Sequence, residues 1–418
     1  MKKSFFLEGY GCSLNVSETE QIAGVLNSAG FRRSKSFSSS DFVIINTCAV
    51  KSVTEQRMLS RIQFLFEHKK QKSKLIVSGC LGETRKEIIS KISPEINILG
   101  TNLADLCVSV GIPTKKFSPE IEGDRSIELV SIIPISTGCL GSCTYCSAKL
   151  ARGDLSSYSF EQISSAFRRA IKSSKEIWIT SQDLGCYGKD IGSSLPSLLK
   201  ELLKNKGSFR IRLGMMNPNH FMEIKEQLVP LFADERLYKF LHLPVQSGSN
   251  SVLAAMERKY SVKDFEECIS FARKNIPDVS ISTDVIVGFA GETESDFQKT
   301  ILLLKKIKPE FVNLSRFGKR PGTKAVKMSG QLSEEEKKRR SRIIDSLCGE
   351  LFLEKNHALV GKEFNALVSE RAKKGYFCAR TDSYKVIMVK KGFGEFVRVR
   401  AVSAHKHSLK GEVLRVLN

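Results

Sequence analysis

The chain has 418 residues, 41% of them apolar and 27% charged, which is the make-up of a soluble globular protein of roughly two to four domains. Lys and Arg outnumber Asp and Glu by 66 to 45, for a net charge of +21, so a polyanionic partner is expected, nucleic acid first. No run approaches the about 18 apolar residues of a membrane span. The basic start with Phe5-Phe6-Leu7 meets Glu8 and Gly9 too early for a signal peptide. The eleven cysteines are therefore expected in a reducing cytoplasm, as metal ligands or free thiols rather than a disulfide framework.

Residues 1–110 carry a loose threefold pattern. Short apolar runs at Ser4–Leu7, Phe42–Ile45 and Leu75–Val77 lead to Cys12, Cys48 and Cys80, and such runs predict buried parallel strands. Ser17 with Glu20, Ser52 with Glu55 and Thr84 with Glu87 each fit a capping box that would open a helix after the cysteine. Strand, cysteine, helix, three times over, predicts a parallel α/β domain with the three cysteines at its carboxyl edge, where open sheets bind ligands. Helix N-termini there favour thiolates, so a shared three-thiolate ligand set is expected. Cys107 lies off the pattern, as a core residue.

From about residue 127, strands predicted at 129–135, 176–180, 210–213, 240–243, 279–287 and 311–315 alternate with helices at 160–172, 196–203, 264–274 and 294–307. Six βα units predict an open, partial barrel with its site at the carboxyl strand ends. Polar or glycine-rich groups stand there, at Thr180–Asp183, Met215–Pro218, Val245–Gly248, Asp284 with Gly288, and Ser315-Arg316. After the first strand comes Gly138-Cys139-Leu140-Gly141-Ser142-Cys143-Thr144-Tyr145-Cys146. Three thiolates at x3 then x2 spacing can hold three irons of a cubane cluster and leave the fourth open to substrate, whereas electron carriers close the cluster with four cysteines. A zinc site or buried free thiols is the other reading of this spacing. Cys186, Cys268, Cys348 and Cys378 are not expected to be ligands.

Ser333 and Glu336 would cap a charged helix to about Lys355. Five short strands follow, at 363–368, 375–380, 384–389, 396–402 and 412–417, and predict a small closed barrel. From Leu359 onward 13 Lys or Arg stand against 5 Asp or Glu, an excess of 8. Tyr376, Phe377, Tyr384, Phe393 and Phe396 interleave with them, as on a surface that binds phosphate and stacks on bases.

Taken together these segments resemble the methylthiotransferase branch of the radical S-adenosylmethionine enzymes, over almost the full length. The resemblance rests on Gly9–Asn15, Ile45–Cys48 and Ser78–Cys80, the Cys139–Cys146 loop, His242–Ser249, Thr283–Phe289 and Arg320–Thr323. It implies an α/β chain of three parts: an N-terminal domain (1–110), a partial (βα)6 radical core (125–355) and a C-terminal RNA-binding barrel, the TRAM domain (357–418). It also implies two [4Fe-4S] clusters, one on Cys139, Cys143 and Cys146 that cleaves S-adenosylmethionine reductively, and an auxiliary one on Cys12, Cys48 and Cys80 that delivers sulfur. Tyr145 would pack on the adenine, with Gln182, Asp183, Gln246, Asp284 and Gly288 around the rest of the cofactor.

Thr180–Asp183 with Tyr187-Gly188, and Gly214–Pro218, are most similar to the archaeal and eukaryotic branch. That branch adds a methylthio group to C2 of N6-threonylcarbamoyladenosine at position 37 of tRNA. The implied partners are a tRNA anticodon loop, an electron donor and a sulfur source, with no membrane. The carboxylate of that base calls for cations and donors, which Arg316, Lys319 and Arg320 offer with Asn217 and Asn219, unless these basic residues hold backbone phosphates. Isopentenyladenosine in tRNA, or an aspartate of a ribosomal protein, is the alternative substrate, and a nucleic-acid-binding iron–sulfur protein the non-enzymatic one. Ala290, where proline is usual, and Ser147-Ala148 depart from the family pattern without touching a ligand.

Overall fold

The structure is a computed structural model that describes residues 2–49, 52–113 and 128–417, so the boundary expected between the first two domains lies outside the described residues. The N-terminal part runs β1 (Ser4–Gly9), α1 (Ser13–Ser28), β2 (Arg32–Arg33), β3 (Phe42–Thr47), α2 (Ser52–His68), β4 (Lys74–Gly79), α3 (Cys80–Thr84), α4 (Lys86–Ser90), β5 (Asn97–Ile98) and α5 (Leu103–Val110). Its strands form a parallel sheet in the order β2-β1-β3-β4-β5, the doubly wound order whose ligand crevice lies between the first and third strands. Cys12 follows β1 and Cys48 follows β3, so both flank that crevice. Every residue of β3 is buried. Val43, Ile45 and Val77 pack on one face, and Phe5, Ile44, Ile76 and Cys107 on the other, as period-2 alternation requires of a sheet covered on both sides.

Two of the three expected capping boxes are not made. Helix α1 begins directly after Cys12, in extended conformation. That leaves Ser17 buried inside the helix, donating to the Ile132 carbonyl at 3.1 Å. Thr84 ends α3, its hydroxyl donating to the Cys80 carbonyl, because the chain kinks at Arg85 (φ −137°, ψ 29°) before α4. The side chain of Ser52, the third candidate, lies outside the described residues.

The second part has six barrel strands, β6 (Val130–Pro134), β9 (Glu176–Thr180), β10 (Arg210–Leu213), β11 (Phe240–His242), β12 (Ser280–Val287) and β13 (Phe311–Arg316), with a short antiparallel ribbon of β7 (Ser136–Thr137) and β8 (Ser156–Ser157) beside the cluster loop. All neighbouring barrel pairs are parallel. Two three-stranded sheets are joined by bridges at Ile211 with Leu237 and Met215 with His242, which gives the open (βα)6 barrel expected. The helices between them are α6 (Ser147–Arg152), α7 (Phe160–Ser173), α8 (Leu195–Leu202), α9 (Pro218–Leu228), α10 (Asn250–Ala255), α11 (Val262–Asn275) and α12 (Glu294–Ile307). Complete capping boxes start α7, α11 and α12. Helix α13 (Glu334–His357) starts on half of one: Ser333 accepts from the Glu336 amide, while the Glu336 carboxylate turns to Arg339 and Arg340. Among the described residues no helix is long and apolar enough to cross a membrane.

The last part closes β14 (Glu363–Arg371), β15 (Phe377–Thr381), β16 (Val386–Val389), β17 (Phe396–Ala404) and β18 (Leu409–Val416) into a barrel around Val368, Ile387, Val389, Val397 and Val399. It docks on the amino ends of the radical-core strands through Glu176, which is fully buried. The Glu176 carboxylate accepts from Trp178 Nε1 (2.6 Å), Ser369 Oγ (2.5 Å), Tyr384 Oη (3.3 Å) and Tyr238 Oη (3.4 Å). Arg380 lies 3.9 Å away, and the Arg212 guanidinium covers Trp178, Phe240 and Tyr384. Replacing Glu176 by Leu would leave several buried donors without an acceptor. The Glu176→Leu variant should lose about 3 kcal/mol in urea denaturation, by loss of a buried, hydrogen-bonded charge, and limited proteolysis should release the C-terminal barrel first.

Candidate active site

The auxiliary cysteines come from three strand ends and meet at one place. Gly79, with φ of +88°, turns the chain into Cys80, and a Cβ there would lie 2.5 Å from the Thr47 carbonyl oxygen, so only glycine lets β4 pass so close to β3. A Cβ on Gly11 would stand 3.0 Å from Cys48 Sγ, which puts the Cys12 turn against Cys48. Asn15, fully buried, ties the three segments together. Its amide donates to the Tyr10 and Thr47 carbonyls (3.0 and 2.7 Å), and its Oδ1 lies 3.9 Å from Cys80 Sγ. Burial pushes the Cys80 thiol up to about 11; nearby Arg152 opposes this, while Glu18, Cys12 and Cys48 add to it.

Arg152 belongs to the other domain. It ends α6, pairs with Glu18 and donates to Asn15 Oδ1 at 2.8 Å. Ser13 Oγ meets Thr180 Oγ1 at 2.7 Å, and Ser147 Oγ donates to the Ala49 carbonyl at 3.1 Å, so the family departure at Ser147 becomes a bond between the domains. Beside Cys48, Glu55 joins Arg85 and Arg320, each at 2.8 Å. Burial lowers the Arg320 pKa, with Glu55 working against it.

In the radical loop, Gly138 (φ +69°) sits where a Cβ would strike the Asp154 carbonyl oxygen at 1.8 Å. The Cys139 sulfur accepts from the Gly141 amide at 3.2 Å and the Cys146 sulfur from the Lys149 amide at 3.4 Å. Cys143 accepts from Arg258 Nη1 at 3.1 Å. A Cβ on Gly141 would lie 3.4 Å from Cys139 Sγ and 3.7 Å from Cys143 Sγ, so these sulfurs converge on one side of the loop. Cys186 lies beside the loop, buried, and its hydrogen bond draws the Cys139 thiol pKa down while its own rises. The Thr144 amide and hydroxyl donate to the Met256 and Ala255 carbonyls, and its own carbonyl accepts from Ala325. Tyr145 packs edge-on against Phe289, centroids 6.2 Å apart.

The polar residues expected around the cofactor divide into two groups. Gln182 Oε1 and Gln246 Oε1 are buried acceptors without a partner among the described residues, and Gln246 holds φ of +69°, a conformation that costs energy in a non-glycine residue. Asp284 accepts from His242 Nε2 (2.7 Å) and Asn313 Nδ2 (2.8 Å). Burial pushes its pKa up, but His242, Asn313 and Arg258 outweigh that and hold it below the usual range. Gly288 donates to Glu292, and a Cβ there would meet Lys337 Cγ at 2.4 Å, so helix α13 fills the space beside it.

Asp183 does not open to the rim. It is fully buried and accepts from the Gly185 and Asn217 amides (3.1 and 3.0 Å), Asn217 Nδ2 (2.6 Å) and His220 Nδ1 (2.6 Å). Asp183, Cys186 and His220 place their polar atoms within 4.8 Å of one another, but with the carboxylate so occupied they form a hydrogen-bonded network rather than a cation site. Asn217, expected at the substrate, links Asp183 to Arg258, which donates to Asn217 Oδ1 and to Tyr260 Oη. Arg320 likewise points to Glu55 at the domain interface. Arg316 and Lys319 are exposed at the end of β13, and Asn219 is half-buried.

Arg152, Arg258, His220, Glu18 and Arg85 carry no signal in the sequence, and Glu55, expected to cap a helix, instead pairs with Arg85 and Arg320. Arg258 and Cys143 are 115 residues apart, and Arg152 and Glu18 are 134, so no local period could pair them. Asn15 did carry a signal, as the last residue of the Gly9–Asn15 segment.

Burial raises the Asp183 pKa, yet His220 and Asn217 outweigh it and leave it lowered. Its stabilisation is therefore full above about pH 4 and lost as pH falls through the lowered folded value. Asp183→Asn turns a donor toward donors and should cost about 2–3 kcal/mol at pH 7. In urea titrations the gap to the parent chain should narrow below about pH 4.

Three family models match the chain. Residues 4–100 match the uncharacterized protein family UPF0004, residues 133–304 the radical SAM superfamily, and residues 357–414 the TRAM domain. The fold is similar to that of the radical S-adenosylmethionine methyltransferase TsrM from Kitasatospora setae, at a TM-score of 0.58 and 12% identity over 78% of this chain and 77% of that one. A probable threonylcarbamoyladenosine tRNA methylthiotransferase from Pyrococcus horikoshii is 39% identical over 98% of this chain and 99% of its own length. The threonylcarbamoyladenosine tRNA methylthiotransferase of Homo sapiens is 33% identical over 98% of this chain and 74% of its own. With its paired cysteine sets and three matching domains, the chain belongs to the family of threonylcarbamoyladenosine tRNA methylthiotransferases.

Proposed function

We propose that this chain adds a methylthio group to C2 of N6-threonylcarbamoyladenosine at position 37 of tRNA. The observation that carries the reading is that two cysteine triads flank one domain interface, Cys139, Cys143 and Cys146 on the radical loop and Cys12, Cys48 and Cys80 at the sheet edge, with Ser147 next to Cys146 bonded to Ala49 next to Cys48. Both donor sets suit a cubane with one iron left open: three sulfurs each, on turns held close by glycine. When bound, one such cluster supplies the electron and coordination site for S-adenosylmethionine, and the other supplies the sulfur.

The chain's own groups do the positioning. The unpartnered Gln182 Oε1 and Gln246 Oε1 are acceptors suited to the ammonium or ribose hydroxyls of S-adenosylmethionine, and Tyr145 to its adenine. Asp284, kept ionised by His242 and Asn313, supplies fixed negative charge at the same rim. The target base must leave its stack to enter the barrel mouth, which an anticodon loop permits. Arg316, the last residue of β13, and Lys319 beyond it are exposed and suit the threonyl carboxylate. An electron donor and a source of replacement sulfur complete the set of partners.

Reconstituted protein should hold about eight irons, and alanine at either cysteine triad should leave about four. S-Adenosylmethionine cleavage should vanish when Cys139, Cys143 and Cys146 are replaced. It should continue, without sulfur insertion, when Cys12, Cys48 and Cys80 are replaced. Unchanged iron in either triple variant would sink the two-cluster assignment.

Purified enzyme offered tRNA bearing either base should modify the threonylcarbamoyl form. The isopentenyl form would leave polar groups of the pocket unpaired, a penalty that supports discrimination of about 10⁴-fold. Methylthiolation of the isopentenyl form alone would overturn the substrate while leaving the reaction class intact.

A further inference from the structure

The five aromatic residues that interleave with basic ones in the C-terminal barrel have separate fates. Tyr384 is buried against Tyr238 and Phe240, and Phe396 lies under Arg210 at 4.8 Å; these two serve the docking of the barrel. Tyr376, Phe377 and Phe393 are half-buried and gather at the end where β14 turns into β15. Phe377 roots this group on the aliphatic core, and its ring centroid is 5.4 Å from that of Phe393 at 30°. The Arg371 guanidinium lies 3.9 Å over Phe393, while the Arg371 side chain stays 60% exposed.

We propose that Arg371, backed by Phe393, is a platform on which an unpaired RNA base stacks. A guanidinium held flat on a ring presents a charged plane, and bases stack on such planes as they do on aromatic rings. The surroundings supply phosphate contacts. Lys373 and Lys374 form an exposed turn with Gly375, in which Lys374 takes φ of +57°. Lys390 and Lys391 are exposed beside it, with Lys390 Nζ 5.8 Å from the Tyr376 ring. Among the described residues none of these four lysines forms an ion pair. The nearby acids are already taken: Glu128 by Arg371, Glu395 by Lys175 and Glu370 by Arg380.

The platform lies far from the barrel mouth. Glu128 and Leu129 precede β6, and Gly394 abuts Leu129, whereas the cluster loop follows the other end of that strand. Five strand residues separate the two ends by roughly 17 Å. The platform therefore grips RNA outside the target loop while the base enters the mouth. This inference rests on tRNA being the substrate.

The test is binding of a tRNA transcript to the full chain over a salt series. Arg371→Lys keeps the charge and removes the plane; Phe393→Leu removes the ring behind it. Each should raise Kd at least about fivefold, the lower end of the loss of one stacked base, with melting temperature and salt slope unchanged. Lys374→Gln with Lys391→Gln should instead flatten the slope of log K against log salt by about 1.4–1.8. Parent-like affinity in Arg371→Lys overturns the platform. A parent chain that itself fails to bind tRNA overturns the substrate reading, and the platform with it, which is a different result.

Discussion

Arg152 leaves the helix behind the radical loop and ends between Glu18 and Asn15, on the far side of the domain interface. Its side chain is 2% exposed, so its charge must be met there, and breaking such a buried pair costs about 3–5 kcal/mol. The same Asn15 holds the Tyr10, Thr47 and Cys80 segments. One cation from the radical core thus closes the hydrogen-bond set that brings three distant strand ends together. Arg320 repeats the arrangement at Cys48 through Glu55. The two domains can dock in this pose only with both cysteine triads on the shared side, and the proposed sulfur transfer depends on that placement.

The radical loop is held by the same logic from below. Asp183 accepts four hydrogen bonds, Asn217 passes its remaining oxygen to Arg258, and Arg258 donates to the Cys143 sulfur. A buried polar chain in which each member is satisfied resists rotation of any one of them, so the loop sulfurs are set before a metal arrives. Lining the mouth, by contrast, are two glutamine oxygens with no partner among the described residues. The chain spends its polar pairing on geometry and leaves acceptors open where a cofactor would sit.

At the opposite end of the barrel, Glu176 gathers hydroxyls from both domains and fixes the small barrel against the strand starts. Because Tyr384 is used for that contact, the aromatic residues free to meet RNA are those at the β14–β15 end. A substrate held there and at the mouth together must be an extended molecule, which suits a folded tRNA better than a short peptide.

Much of this was legible in the chain itself. The strand patterns predicted Glu176–Thr180 and Arg210–Leu213 to the residue, the first as a mostly apolar run of a buried parallel strand and the second as the alternation of a half-buried one. Cysteine spacing on one loop, and cysteines repeated at equivalent strand ends, singled out the two triads, since both are local features. Helix starts were less secure. Ser17 has the right neighbour for a cap but is drawn inside α1 because the helix begins at the cysteine. Which polar side chains are left open for a cofactor was decided only by the tertiary structure. Asp183, Asn217 and Arg320 look like rim residues in sequence, yet each is claimed by a partner 34 to 265 residues away. Sequence by itself determined the elements and singled out the two cysteine triads proposed as metal ligands, which depend on period and spacing. The folded chain alone decided where each charge is neutralised, because a buried ion finds its counterion through space and not along the chain.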